Sequence, residues 1–208
     1  MKRILFYVLA VYGLFFAVWC AEAGNPLHYM FHDSPAGQGA YLLSKCLGFL
    51  AITAFFVQIC LGLASKFGLV DASYRVHAVN GVVLLLFVFS HCVFFALGVS
   101  IRSGHVALNV FVPKFNDYFH FMVALGIVSL VGLFTAFILG KTLSRKGGLW
   151  SRRGHYVASS FGALSIIHAF SIGSETRSAG VIVLVVIAVG CAGAFFCHEF
   201  IKKQISAV

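Results

Sequence analysis

Four histidines lie in pairs along two apolar stretches of the chain. His77 and His91 are fourteen residues apart in RVHAVNGVVLLLFVFSHC, and His155 and His168 are thirteen residues apart in HYVASSFGALSIIH. Ionisable side chains within a hydrocarbon layer are costly, and they commonly mark a functional site. The question is therefore which elements carry these imidazoles and what the imidazoles bind.

Six apolar runs divide the chain, and each is long enough to cross a bilayer. The 208 residues are 61% hydrophobic and 10% charged, with a mean hydropathy of +0.98, whereas soluble domains average about 25% charged residues. A span needs about 20 mostly apolar residues. We predict an all-α fold, a six-helix transmembrane bundle that forms a single domain over 1–208. Its helices are expected at about 4–20, 40–65, 77–100, 118–140, 155–172 and 179–200.

The net charge of +9 indicates topology rather than nucleic-acid binding. With the N-terminus inside, the inside loops hold eleven Lys and Arg residues and the outside loops hold three, the asymmetry typical of membrane proteins. We expect a multi-pass protein of the cell's inner (plasma) membrane, surrounded by lipid, with both termini cytosolic. Residues 1–23 also resemble a cleavable signal, although we favour a retained first helix.

The four histidines form two pairs, each with one member on the third helix and one on the fifth at the same depth in the membrane. Both helices run from the cytosol outward, so His77 and His155 share an inner depth, while His91 and His168 share an outer one. At a rise of about 1.5 Å per residue, the two levels are roughly 20 Å apart. Two imidazoles from opposed helices can ligate a metal from both sides, whereas tetrahedral zinc would need three or four ligands. The pattern favours two stacked haems with these histidines as axial ligands.

Lysine and arginine side chains are expected near both pairs of histidines. Haem propionates are anions, and cations stabilise them where water is scarce. We expect Arg75, Arg152 and Arg153 beside the inner pair, and Arg102 and Arg177 beside the outer pair. Lys45 lies inside the second helix, where a charge needs a partner, and we expect it to face the outer haem's propionates or an acceptor pocket.

The spacing His-x13-His on the third helix and His-x12-His on the fifth resembles the ferric reductase-like transmembrane domain family. This family includes NADPH oxidases, ferric reductases and the haem subunit of a bacterial methionine sulfoxide reductase. The stretches YRVHAVNG and LWSRRGHYVASSFGALSIIH agree with it, and the resemblance covers about 40–200. It implies that His77 and His155 ligate an inner haem b, that His91 and His168 ligate an outer haem b, and that the chain is a component of an oxidoreductase.

The expected function is electron transfer across the membrane to an outer-face acceptor such as ferric iron, oxygen or a periplasmic redox partner. NAD(P)H gives a hydride and haem takes one electron, so a flavin must stand between them. The inside loops are short and carry no dinucleotide fingerprint, so we expect the flavin on a separate cytosolic flavin reductase-type donor, docked at the basic loop KTLSRKGGLWSRRGH. Two alternatives remain open: a quinol-linked cytochrome b subunit, and a non-redox membrane protein whose histidines bind a metal ion.

Five further histidines have less defined roles. His120 is expected at the outer end of the fourth helix, where it could hydrogen-bond a haem propionate or a bound acceptor. The other four have no assigned function: His28, His32, His105 and His198.

Overall fold

The structure is a computed structural model, and it describes residues 2–23, 34–66, 73–143, 149–174, 176–178 and scattered positions between 181 and 201. The side chains at 2, 3, 66, 73, 74, 140–143, 149–152 and 155 lie outside this description. All the regular structure in the described ranges is helical, and these ranges contain no strand.

Five α-helices follow one another, with a short 3-10 helix (Leu108–Phe111) between the third and fourth. They are α1 Lys2–Glu22, α2 Gln38–Lys66, α3 Ser73–Ser103, α4 Tyr118–Leu143 and α5 Leu149–Ile172. Four segments are long and apolar enough to cross a membrane: Ile4–Glu22, Gln38–Ser65, Arg75–Ser103 and Tyr118–Leu139. The structure therefore confirms an all-helical protein and the first four predicted spans.

The last two predicted spans are less complete in the structure. The apolar part of α5, Tyr156–Ile172, is shorter than the four segments above. Most of the predicted helix 179–200 lies outside the described residues, although the positions that are described between 181 and 201 are helical. The six-helix bundle, the single domain and the inside–outside orientation stay predictions.

The first of two compact units contains Met1–Asn25, Phe49–Leu84 and Glu175–Val208. Its core joins buried Val57 and Leu61 of α2 to Val76 of α3, and α1 packs on this core through Ile4, Val8 and Val11. The three α1 residues recur at spacings of four and three, which places them on one face of the helix. Phe15 and Trp19 of α1 are buried as well, whereas other α1 side chains such as Phe6 are exposed, which suits contact with lipid.

The second unit contains Pro26–Gly48 and Leu85–Ser174. Within it, α4 packs against α5. The start of α2 approaches the end of α3 closely, because a Cβ on Gly98 would lie 3.1 Å from the backbone nitrogen of Tyr41. After Ser103, Gly104 adopts a φ of 71°, the left-handed conformation in which a glycine commonly ends a helix.

Candidate metal centre

His91 of α3 is held by the backbone of α2. Its Nδ1 atom lies 2.8 Å from the carbonyl oxygen of Ser44 and 3.1 Å from the Ser44 hydroxyl oxygen, and this hydroxyl donates to the His91 carbonyl at 2.9 Å. Because a carbonyl only accepts hydrogen bonds, Nδ1 is assigned the proton and Nε2 the lone pair. Gly48 makes room for the ring, since a Cβ there would lie 2.9 Å from Nδ1.

His168 of α5 is held in the same way by α4. Its Nδ1 atom lies 2.7 Å from the carbonyl oxygen of Met122, so the same tautomer follows. Four residues after Met122 comes Gly126, where a Cβ would lie 2.7 Å from the ring carbon Cε1. Only glycine at this position allows the imidazole to lie so close to α4.

The two imidazoles therefore share one arrangement, and both belong to the second unit. In each case a neighbouring helix supplies a carbonyl to Nδ1 and, one turn later, a glycine beneath the ring. Neither Nε2 atom makes a hydrogen bond within the described part of the chain. His91 and His168 are close enough to interact electrostatically. An imidazole with Nδ1–H on a carbonyl and a vacant Nε2 is the usual state of a metal-ligating histidine.

His77 of α3 has a different environment, a polar network inside the first unit. The Tyr12 hydroxyl donates to Oδ1 of Asn80 at 2.8 Å, and Asn80 Nδ2 donates to the Ala54 carbonyl at 2.9 Å and to Oε1 of Gln58 at 2.8 Å. Since Oε1 accepts, the Gln58 amide nitrogen donates, and it lies 3.0 Å from Nε2 of His77. Nε2 of His77 is thus a hydrogen-bond acceptor in this structure.

The predicted inner pair, His77 and His155, is therefore less clearly arranged for metal binding than His91 and His168. A metal bound to Nε2 of His77 would have to replace the hydrogen bond from Gln58. The ring does lie over a glycine four residues after Gln58, since a Cβ on Gly62 would be 3.4 Å from Cε1. The side chain of His155 lies outside the described residues, so ligation by this pair stays a prediction.

Lys45 follows directly after Ser44, the residue that holds His91. Its Nζ atom donates to the Ser174 hydroxyl at 2.7 Å and lies 5.5 Å from the centre of the Tyr41 ring. The guanidinium of Arg102 lies 5.8 Å from the same ring and donates to Gln38 at 2.9 Å. Two cations thus flank the ring of Tyr41, which precedes Ser44 by three residues on α2, and this arrangement would suit an anionic group there.

The remaining site predictions concern three arginines and four further histidines. Arg75, Arg153 and Arg177 are exposed, and their predicted role toward haem propionates stays a prediction. His28, His32 and His198 lie outside the described residues. His120 is bound locally, since its Nδ1 atom lies 2.6 Å from Oδ2 of Asp117.

Several residues that build these sites were not predicted. Ser44 and Met122 act through backbone carbonyls, which every residue possesses, so their identities carry no signal. The identities of Gln58 and Asn80 do carry a signal, because an amide inside an apolar span is costly unless it finds a hydrogen-bond partner. Both amides have partners in the structure.

Among the described residues, no group of three or more His, Cys, Asp or Glu is placed to hold a metal ion. The observed donors are a pair. Comparisons with protein-family models, with curated proteins and with solved structures found no match to this chain. The described residues thus define the class only coarsely: an all-helical protein with four helices long and apolar enough to cross a membrane, in which two imidazoles are held alike by a carbonyl and a glycine of a neighbouring helix.

Proposed function

We propose that this chain binds two b-type haems and moves electrons across the membrane, as members of the ferric reductase-like family do. The single observation that carries the proposal is the shared arrangement of His91 and His168. Each Nδ1–H is occupied by a backbone carbonyl, and each Nε2 is left as a donor to a metal. Haem, when bound, supplies one-electron redox chemistry.

Two neutral imidazole donors suit a haem better than a bare metal ion. Structural zinc is held by four protein ligands and catalytic zinc commonly by three, whereas haem iron already has four porphyrin nitrogens and needs only axial ligands. The hydrogen bonds from Nδ1 to Ser44 and Met122 would fix both ring orientations and raise the basicity of Nε2. Lys45 would neutralise propionate charge at this level, and Arg177 is proposed for the same side.

The inner haem is proposed on His77 and His155, with Arg75 and Arg153 as propionate partners. In this reading the amide of Gln58 withdraws from Nε2 of His77 when the haem binds. Gln58→Leu should then leave the haem content unchanged, because the amide competes with the metal. A loss of haem in that variant would mean that Gln58 supports the site.

The electron donor is proposed to be a cytosolic flavoprotein, and the acceptor an outer-face oxidant such as ferric iron, oxygen or a periplasmic redox partner. The basic stretch KTLSRKGGLWSRRGH (141–155) would attract an acidic partner and speed its encounter at low salt. Neutralising Arg145, Lys146, Arg152 and Arg153 by substitution keeps the loop length unchanged. It should slow the reduction of the haems and flatten the salt dependence of that rate.

The proposal is tested by the spectrum and haem content of the purified chain. We expect reducible b-type bands and about two haems per chain, all removed by acid–acetone because no CxxCH motif attaches them. A colourless protein would favour the non-redox alternative. A ratio near one, unchanged by His77→Ala, would remove the inner site.

The donor is tested separately, in membranes that contain the chain. NAD(P)H should reduce the haems only when a soluble flavin reductase is added. Rapid reduction by quinol alone, insensitive to the flavoprotein and to the four loop charges, would favour the quinol-linked alternative.

A further inference from the structure

A cavity of about 220 Å³ lies between the end of α3 and the start of α4, within the second unit. On α3 it is lined by Phe95, Val99 and Ser103, which continue the four-residue spacing that starts at His91. The cavity thus begins one turn, about 6 Å along the helix, beyond the proposed outer ligand. None of the functions proposed above makes use of it.

The cavity is small, and most of the side chains of α3 and α4 that line it are apolar. Phe95 and Val99 of α3 face Phe119 and Val123 of α4 across it. Pockets for drug-sized ligands commonly measure about 300–1,000 Å³, so this cavity suits a molecule of one or two rings. Aromatic side chains at two sides favour a flat aromatic ligand.

Two imidazoles line the same cavity, and in their neutral form both would accept hydrogen bonds at Nε2. Nδ1 of His105 lies 3.0 Å from the Ser103 carbonyl, and Nδ1 of His120 lies 2.6 Å from the Asp117 carboxylate. Each Nδ1 therefore carries the proton. Neither Nε2 has a hydrogen-bond partner in the described ranges, so each can accept a hydroxyl proton from a ligand.

Lys114 adds a cation to the lining, and no lining residue is a carboxylate. Its ammonium group has donors only, so it complements a ligand oxygen that accepts or carries negative charge. The Asp117 carboxylate accepts from Nδ1 of His120 and so fixes the orientation of that ring at the cavity.

We propose that this cavity binds a hydroxylated aromatic molecule of one or two rings. The ring packs between Phe95 and Phe119, its hydroxyls donate to Nε2 of His105 and His120, and Lys114 contacts a ligand oxygen. Phenols and hydroquinones share this chemistry. The binding itself does not depend on haem at His91, so it can hold or fail independently of the function proposed above.

The test uses the full chain in lipid nanodiscs, with empty nanodiscs as the partition control. The probe is dihydroxynaphthalene, and its matched control is dimethoxynaphthalene, which keeps the rings and lacks the donors. We expect saturable binding of the diol near one per chain, and none of the dimethoxy compound. Equal binding of both would overturn the proposal, because the hydroxyl contacts would then be irrelevant.

Variants locate the site. Val99→Trp fills the cavity and should abolish saturable binding. His120→Leu removes one acceptor and should weaken binding about five- to tenfold, since a hydrogen bond contributes about 1 kcal/mol. Phe115→Leu is the control, because Phe115 is exposed in the same connection and does not line the cavity. Unchanged binding in Val99→Trp would place the ligand elsewhere and overturn the proposal.

A measurement on the unaltered protein guards against variants that fold poorly. Diethyl pyrocarbonate modifies accessible neutral imidazoles, and the diol should protect His105 and His120 from it, as read by mass spectrometry. Bound diol without protection at either histidine would refute the assignment. Haem content measured in the same samples shows whether the function proposed above stands or fails by itself.

The source of the ligand is resolved by competition. A prenylated hydroquinone placed in the nanodisc lipid should displace the diol if the natural ligand comes from the membrane, and this result would also support the quinol-linked alternative. Displacement only by a water-soluble phenol would support the same site with a ligand from the aqueous phase.

Discussion

The Nδ1 atom of His168 lies 2.7 Å from the carbonyl oxygen of Met122, one helical turn before the glycine that makes room for its ring. His91 has the same relationship to Ser44 and Gly48. A carbonyl and a glycine four residues apart on the facing helix thus fix both the position and the tautomer of an intramembrane imidazole.

Gly126→Ala should displace the His168 ring. The new Cβ would lie 2.7 Å from Cε1, so either the imidazole or α4 must move, at a cost of about 1–3 kcal/mol. Stability in detergent and the spectrum of the outer centre should both change. Gly13→Ala is the control, since nothing lies within 4 Å of a Cβ there. Equal effects of the two substitutions would argue against a role for the glycine cradle.

His91→Ala and His168→Ala should each abolish the proposed outer centre and stop electron export. The reason is that each ring would supply one of the two proposed ligands of the outer haem. Sealed vesicles reduced from the cytosolic side report both the remaining inner bands and the reduction of an external acceptor. Phe89→Leu serves as the control, because Phe89 is an exposed residue of the same helix. Electron export that survives either histidine substitution would contradict the pairing by depth.

Asn80→Leu should destabilise the first unit. It removes three hydrogen bonds, to Tyr12, Ala54 and Gln58, and Asn80 is only 4% exposed. Hydrogen bonds between membrane helices contribute about 0.6 kcal/mol each, so we expect a loss of about 1–2 kcal/mol in the free energy of unfolding.

The Asn80 measurement has an internal test of the network. Gln58→Leu combined with Asn80→Leu should cost less than the sum of the two single substitutions, because both remove the same contact. Asn116→Ala, at an exposed position, should have little effect. Additive losses would show that Asn80 and Gln58 act independently.

Asp117 should stay ionised below the usual aspartate range. The backbone N–H of His120 donates to its carboxylate, as does the His120 ring, and together they lower the pKa of Asp117, the backbone bond most strongly. Because the folded pKa lies below the unfolded one, the stabilisation is complete above the unfolded value of about 3.9. It is lost as pH falls below that value through the folded pKa.

A carboxyl-carbon NMR titration of Asp117 measures this directly. His120→Ala keeps the backbone N–H and removes the ring, so the pKa should rise only part of the way to its ordinary value. A full return to that value would assign the whole effect to the imidazole.

Much of the fold was predictable from sequence because hydropathy is local. The four segments able to cross a membrane lie where runs of apolar residues were predicted, since about 20 such residues suffice to span a bilayer whatever their neighbours do. The positions of the histidines along their helices likewise follow from a constant rise per residue, whereas a shared depth of His91 and His168 in the membrane stays a prediction. The sequence does not report the partners of Lys45, although it indicated that a charge inside a helix must have one.

What the sequence determined by itself was therefore the first four membrane-length helices and the positions of the histidines along their helices. The tertiary structure decided which atoms those histidines meet. The rotation of each helix about its axis places the carbonyls of Ser44 and Met122 against one pair of rings and the amide of Gln58 against His77. Every residue has a backbone carbonyl, so no pattern of residue types indicates that the carbonyls of Ser44 and Met122 are the ones that meet the rings. Only the packing of neighbouring helices gave Nε2 of His77 a hydrogen-bond partner and left Nε2 of His91 and His168 without one among the described residues.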